Sequence, residues 1–324
     1  MHPAFSIIFL TTLIGAGQGL FLALYSGQLY STFKLLPSEN SHFYWVGSLL
    51  VLVLLVAGLV SSFFHLGRPE RAWRSAARWR TSWMSREVIV LPLFMGTVAV
   101  WALIHYLGWN PLWVTLGKNF NIDLSLLVGG MATLLCFSLF LCTGMIYTCI
   151  KMMQEWATPL TVINYTLLGT SSGFLLATAF AAWQGSGITW FFGGWSVILT
   201  LLAFLTRTAS LFRNARLKHK SSLQTAIGIR HIHIQQKAQG AMCGSFNTRE
   251  YFHGASRRKY KSVKWAFLVL VFPLPLLLLS VGLGAHVMGL LVAAFIVQYI
   301  GLFLERWFFF AQANHPQNLY YQTV

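Results

Sequence analysis

The residues best suited to chemistry lie in one short stretch, residues 65–87, which reads HLGRPERAWRSAARWRTSWMSRE. It contains six arginines, three tryptophans, two glutamates and one histidine, although only 9% of the chain is charged. His65 can gain or lose a proton near neutral pH, and Glu87 is a carboxylate that can relay protons. Long apolar runs flank the stretch, so we expect these groups at the edge of a membrane, where ionisable side chains indicate function.

The elements that must position these residues are membrane spans. The chain has 324 residues, of which 56% are hydrophobic, and its mean hydropathy is +0.63. Runs long enough to cross about 30 Å of hydrocarbon lie at about residues 4–33, 43–64, 88–107, 124–150, 160–183, 188–211, 265–282 and 287–310. The sequence predicts an all-α polytopic membrane protein, with eight transmembrane helices in a bundle and no soluble domain, so that residues 1–324 form a single anchor domain. A β-barrel would show short alternating segments instead.

The net charge of +16 would suggest nucleic acid in a soluble protein. In membrane proteins, basic residues collect in cytoplasmic loops close to anionic lipids, so we expect membrane lipids and no nucleic acid as partners. Here they concentrate in the loops at 65–86, 151–158 and 212–264, whereas Lys34 and Lys118 lie on the other side. We therefore predict that both termini and the basic loops are cytoplasmic. Alternatively, the arginines serve an acidic partner and say nothing about insertion.

The ionisable stretch has the residue types that a quinone site requires. A quinone head needs hydrogen-bond partners at its carbonyls, a group that exchanges protons, and an apolar slot for its tail. His65 falls in the last turn of the second predicted span, and Ser85 and Glu87 fall at the start of the third. Three simpler interpretations stay open: an ion pair between Glu87 and an arginine, a bond from His65 to free helix-end carbonyls, and tryptophans that act as interfacial anchors.

Metal and haem sites are not indicated. The four cysteines form no CxxC pair, which argues against zinc or iron–sulfur ligation in this chain. A bis-histidine haem needs two histidines on facing helices, whereas the histidines here fall in loops or at span ends. The acids Asp123, Glu155 and Glu305 are placed at span boundaries, so we predict no polar path of the kind that a pump or channel uses.

The first span has small and polar residues that predict close helix packing. Gly15 and Gly19 form a GxxxG pair, a spacing that lets backbones approach closely in lipid. Gln18, between them, predicts a hydrogen bond to another helix or a polar cavity.

The stretch FFHLGRPERAWRS, followed by SWMSRE before an apolar span, resembles the membrane anchor subunit of dimethyl sulfoxide reductases. The segment TGMIYTCIKMMQEWATPLT fits the same family. The N-terminal MHPAFSIIFLTTLIGAGQGLFLALY is similar to the anchors of cytoplasmic sulfite dehydrogenases. The resemblance implies a haem-free, quinone-reactive anchor in the bacterial inner membrane. Its implied partners are an iron–sulfur subunit with four clusters and a catalytic molybdenum subunit that holds bis-molybdopterin guanine dinucleotide.

Site residues follow from this resemblance position by position. The family's quinone-linked histidine falls on His65 and its functional glutamate on Glu87, while Arg71 and Ser85 match the surrounding motif and Tyr147 is a further candidate. We assign partner docking to the remaining arginines, Arg68, Arg74, Arg78 and Arg80. The resemblance implies electron flow from sulfite oxidation into ubiquinone or menaquinone. The alternatives are an anchor that oxidises menaquinol for an S- or N-oxide reductase and, more distantly, a transporter or channel.

Overall fold

The protein is described by a computed structural model over residues 5–116, 120–218, 222–234 and 257–313. Eight helical segments in these ranges are long and apolar enough to cross a membrane, which confirms the prediction of an eight-span helical bundle. The helices are α1 (Phe5–Thr32), α2 (Ser41–Phe63), α3 (Trp83–Leu107), α4 (Leu124–Thr148), α5 (Pro159–Trp183), α6 (Thr189–Ala215), α7 (Leu223–Ile227), α8 (Arg257–Val271), α9 (Pro273–Gly284) and α10 (Met288–Gln312).

Helix α3 begins about five residues before the expected start of the third span. Ser82 caps it, since its side chain accepts a hydrogen bond from the backbone N–H of Ser85, the usual role of serine at a helix N-terminus. Ser85 and Glu87 therefore lie within the first two turns of α3. The end of the bundle that includes residues 65–87 is called the basic end below.

The seventh span consists of two helices, α8 and α9. They meet at Phe272, directly before Pro273, because proline lacks a backbone N–H and its ring clashes with the preceding turn. The predicted basic loop at 212–264 is shorter than expected, since α6 continues to Ala215 and α8 begins at Arg257. Residues 219–221 and 235–256 of that loop, and the two termini predicted to be cytoplasmic, lie outside the described residues.

A small antiparallel hairpin stands at the opposite end, where the sequence predicted only a loop. It pairs β1 (Leu112–Leu116) with β2 (Phe120–Asp123). Asp123 then caps α4 by accepting a hydrogen bond from the backbone N–H of Leu126 at 2.9 Å.

Helices α1 and α5 pack with their backbones in contact. A Cβ atom added to Gly19 would lie 2.4 Å from the carbonyl oxygen of Gly169, and one added to Gly173 would lie 2.1 Å from the backbone of Gly19. Small residues permit this approach, which confirms the packing predicted from the GxxxG pair. The Gln18 amide donates a 2.9 Å hydrogen bond to the backbone oxygen of Cys136 on α4, so the predicted interhelical bond is also present.

Candidate functional site

The arginine-rich connection between α2 and α3 is exposed. Residues Pro69–Arg78 form a 3₁₀ helix in which no residue is buried. The arginines assigned to docking or to the site all lie at the surface: Arg68, Arg71, Arg74, Arg78 and Arg80. Arg71 contacts Glu70 at 3.8 Å, an exposed pair that contributes little to stability. The connection thus presents a cationic surface at the basic end.

Tryptophans in this connection contact neighbouring arginines. The guanidinium of Arg74 lies 5.6 Å from the Trp73 ring centroid, and that of Arg86 lies 4.2 Å from the Trp83 centroid. Arg86 also donates hydrogen bonds to the backbone oxygens of Trp79 and Arg80. Arg86 therefore fixes the connection against the start of α3.

His65 follows the end of α2 and is exposed. Its neighbours Phe64 and Leu66 are apolar and also exposed, Phe64 by 82%. Partial burial of the imidazole lowers the pKa of His65 below its ordinary value, because removal from water disfavours the charged form. The ring is thus neutral at pH 7 and lies on an apolar surface.

Glu87 points from α3 towards α4. The Thr143 hydroxyl donates a 2.5 Å hydrogen bond to Oε1 of Glu87, and the Glu87 side chain is half-buried. Among the ion pairs of residues 5–116, 120–218, 222–234 and 257–313, none joins Glu87 to an arginine. Ser85, two residues earlier in the helix, is 3% exposed. The alternative interpretation, an ion pair between Glu87 and a neighbouring arginine, is therefore wrong for the described residues.

Glu87 lines a cavity of about 30 Å³ between α1, α3, α4, α5 and α10. His65, Arg71, Ser85 and Tyr147 do not line it. Its polar side chains are Thr11, Thr12, Gln18, Glu87, Thr143, Tyr165, Ser172 and Arg306. Of the predicted site residues, Glu87 borders this cavity, His65 and Arg71 lie on the surface of the basic end, and Ser85 and Tyr147 lie in neither place.

A buried ion-pair triad adjoins the cavity. Glu305 binds Arg207 of α6 at 2.7 Å and its own neighbour Arg306 at 2.5 Å. Glu305 is fully buried, seven residues before the end of α10, so its predicted boundary position was wrong. The sequence did contain a signal for this triad, namely a Glu–Arg pair within an apolar run and an arginine in the sixth span. Averaging hydropathy over a window hides such isolated charges.

Tyr147 belongs to an aromatic cluster beside the triad. Its ring stacks on Tyr165 with centroids 5.5 Å apart, and the Arg306 guanidinium lies 3.9 Å from the Tyr165 centroid. Trp156 and Phe309 complete the cluster. Tyr147 is thus separated from the cavity by one aromatic ring.

The described ranges hold no group of three histidine, cysteine, aspartate or glutamate side chains arranged to bind a metal ion. The ionisable chemistry of these ranges is instead that of guanidinium, carboxylate, imidazole and hydroxyl groups.

Eight apolar spans, an exposed cationic connection at one end and ionisable groups buried beneath it define a multi-pass membrane anchor. The chain belongs to the DMSO reductase anchor subunit (DmsC) family, whose model matches residues 1–321. It is therefore the membrane anchor of a molybdoenzyme complex, as the resemblance of residues 65–87 predicted.

Two relatives illustrate this membership. The C subunit of the sulfite dehydrogenase of Allochromatium vinosum is 55% identical over 324 residues, which span 100% of both proteins. The C polypeptide of the anaerobic dimethyl sulfoxide reductase of Haemophilus influenzae is 31% identical over 124 residues, or 37% of this chain and 41% of that one.

Proposed function

We propose that this chain is the quinone-reactive membrane anchor of a sulfite dehydrogenase. Electrons released from sulfite by a molybdenum subunit, which holds bis-molybdopterin guanine dinucleotide, reach it through a subunit with four iron–sulfur clusters. The anchor itself does not act on sulfite. The assignment of sulfite is supported by the 55% identity, over both full lengths, with the C subunit of a sulfite dehydrogenase.

The residues at the basic end fit a quinone. The cavity, at about 30 Å³, is far smaller than the roughly 300–1,000 Å³ of ligand pockets, so the ring binds outside it. Neutral His65 suits a quinone carbonyl, and the exposed side chains of Phe64 and Leu66 suit the ring and tail. Arg71, Ser85 and Tyr147 are included as further members of the site on the resemblance alone.

The observation that carries the proposal is the position of Glu87. Its carboxylate lies one turn inside α3, is held by Thr143 and borders a small cavity between the helices. A quinone, ubiquinone or menaquinone, takes up two electrons and two protons when it is reduced. Glu87 holds or moves a proton at its carboxylate, and His65 orients the ring.

The exposed arginines of residues 68–80 form the docking surface for the iron–sulfur subunit. Complementary charge steers and orients such contacts. The bias of lysine and arginine supports a cytoplasmic position for this surface and for both termini, with the anchor in the inner membrane. A reporter fused to the C-terminus tests this orientation, which a periplasmic signal would contradict.

The function is tested in the assembled complex with Glu87→Gln and His65→Ala. We expect sulfite-dependent quinone reduction to fall by about 10²-fold or more, the range of a general acid or base, while sulfite oxidation by a soluble dye is unchanged. Glu39→Gln is the matched control. Glu39 lies in the connection between α1 and α2, at the other end of the bundle, and accepts a hydrogen bond from the Ser186 hydroxyl. Full quinone reduction by both site variants would refute the proposal.

A second candidate is an anchor that oxidises menaquinol for an S- or N-oxide reductase. It is favoured by the 31% identical relative from Haemophilus influenzae, which belongs to a dimethyl sulfoxide reductase. Purified complex that oxidises a menaquinol analogue with dimethyl sulfoxide, and does not reduce quinone with sulfite, would establish this candidate instead.

A further inference from the structure

The buried triad has an unbalanced charge. Two guanidinium groups, on Arg207 and Arg306, bind the single carboxylate of Glu305, which leaves a net charge of +1. All three side chains are at most 5% exposed. Burial of an uncompensated charge is strongly unfavourable, so a second negative charge is needed nearby.

The cavity supplies that charge. Arg306 lines one part of it and Glu87 another, and Glu87 is the only acid among the cavity-lining residues in the described ranges. Arg306 Nη1 is buried and has no hydrogen-bond partner within the described ranges. With Glu87 ionised, the two carboxylates and two guanidinium groups form a neutral set around one cavity.

The space between them is suited to water. One buried water needs roughly 10–15 Å³ on this measure of volume and two to four polar partners. The cavity, at about 30 Å³, therefore holds about two waters. The hydroxyls of Thr11, Thr143 and Ser172 line it and provide partners in addition to Glu87 and Arg306.

We propose that this cavity is a water-filled proton compartment in which Arg306, fixed by Glu305 and Arg207, is the positioning residue and counter-charge for Glu87. The inference rests on the proposed function. When a quinone takes two electrons from the iron–sulfur subunit, it also takes up two protons. Each proton enters from the basic end, passes through the cavity water to the ionised Glu87 carboxylate, and is transferred from the Glu87 carboxyl to the quinone, which restores both the carboxylate and the water. Arg306 orients the water and carries no proton itself.

The titratable groups that face Glu87 come from three helices. Arg306 lies on α10 and Tyr165 on α5, and both line the cavity, while Cys142 and Tyr147 lie on α4 and interact with Glu87 electrostatically. Thr11, Thr12 and Gln18 of α1 do not carry charge. Within the described residues, Arg306 is therefore the only cation on α1, α4, α5 and α10, the helices that line the cavity with Glu87. Arg86 is the charged neighbour of Glu87 on α3.

The central test is the pH profile of sulfite-dependent quinone reduction by the whole complex with the substitution Arg306→Gln. Without the nearby positive charge, Glu87 keeps its proton to higher pH, so the alkaline limb of the profile moves upward by about one pH unit. Arg306→Lys restores the wild-type limb. In a Glu87→Gln background, Arg306→Gln gives no further shift, since the two groups act as a pair.

The outcomes separate the inference from the proposed function. A wild-type complex that binds no quinone analogue defeats both. The inference alone is defeated by a different combination of results. In that case the wild-type complex binds the analogue and Glu87→Gln loses activity, but Arg306→Gln has the same alkaline limb as the wild type.

A second variant applies if Arg306→Gln fails to assemble. A Cβ atom at Gly15, which lines the cavity, would meet only Gly169 Cα at an ordinary 3.4 Å, so Gly15→Ala takes up cavity volume without a clash. We expect quinone binding to be unchanged and turnover to fall severalfold. Gly96→Ala, where nothing lies within 4 Å, is the matched control. Wild-type turnover in Gly15→Ala would overturn the proposal.

Discussion

The Nε atom of Arg207 lies 2.7 Å from Oε1 of Glu305, and both side chains are buried within membrane-spanning helices. This contact joins α6 to α10. We expect Arg207→Ala to lower the free energy of unfolding by about 3–5 kcal/mol, because it leaves Glu305 with one partner fewer in a medium that does not hydrate it. Thermal unfolding of the purified anchor in detergent measures the loss.

The control for this prediction is Glu70→Ala. It removes the exposed contact with Arg71 at 3.8 Å, for which we expect a change of about 0–1 kcal/mol. Equal losses in the two variants would show that the buried triad does not stabilise the bundle.

The contact between α1 and α5 gives a second prediction. Gly173→Ala places a Cβ atom 2.1 Å from the Gly19 backbone, so the helices must separate. We expect a destabilisation of about 1–3 kcal/mol or more from overpacking, seen as a lower unfolding temperature. Gly194→Ala, in α6 with nothing within 4 Å, has little effect. A Gly173→Ala anchor as stable as the wild type would contradict the packing described above.

The lowered pKa of His65 predicts a pH dependence. Partial burial lowers this pKa, so the imidazole of the folded protein stays neutral to lower pH than an ordinary histidine, whose pKa is about 6.5. The neutral ring is lost as pH falls through the lower folded value. We expect quinone reduction to decline over this acid range.

His65→Gln tests this assignment, because glutamine still bonds a carbonyl but does not titrate. The acid limb of quinone reduction disappears in that variant, while His42→Gln, at the other end of α2, keeps it. An acid limb that persists in His65→Gln would assign the titration to another group.

The exposed arginines predict a salt-dependent interface. We expect charge reversal at Arg74, Arg78 and Arg80 to release the iron–sulfur and molybdenum subunits from membranes, and wild-type membranes to release them as ionic strength rises, because exposed charges are screened within about 8–10 Å. Lys34→Glu, at the opposite end, serves as the control. Partner subunits that stay bound to the reversed variant would show that docking lies elsewhere.

Much of the fold followed from hydropathy. The eight spans agree with the structure to within a few residues at most ends, because a run of apolar side chains in lipid must close its own backbone hydrogen bonds as a helix. The start of α3 was misplaced because the cap at Ser82 extends the helix into polar residues. The hairpin at residues 112–123 was missed, since two short strands leave almost no signal.

The candidate site was only partly predictable. The chemistry of His65 and Glu87 was visible in the sequence as ionisable groups beside apolar runs, and the arginines between them were visible as a cationic surface. The partner of Glu87 was not, because Thr143 lies 56 positions along the chain and resembles many other hydroxyl residues within spans. The triad of Arg207, Glu305 and Arg306 was missed for a related reason.

The sequence by itself determined that this protein is a helical membrane anchor, where its spans lie and which end of the bundle is basic. These properties depend on local composition and on the thickness of a bilayer. Only the tertiary structure decided that Glu87 and Arg306 share one cavity and that Glu305 lies between two guanidinium groups. Such pairings arise from contacts between α3, α6 and α10, far apart in the chain, and neither the period of a helix nor its mean hydropathy encodes which faces meet.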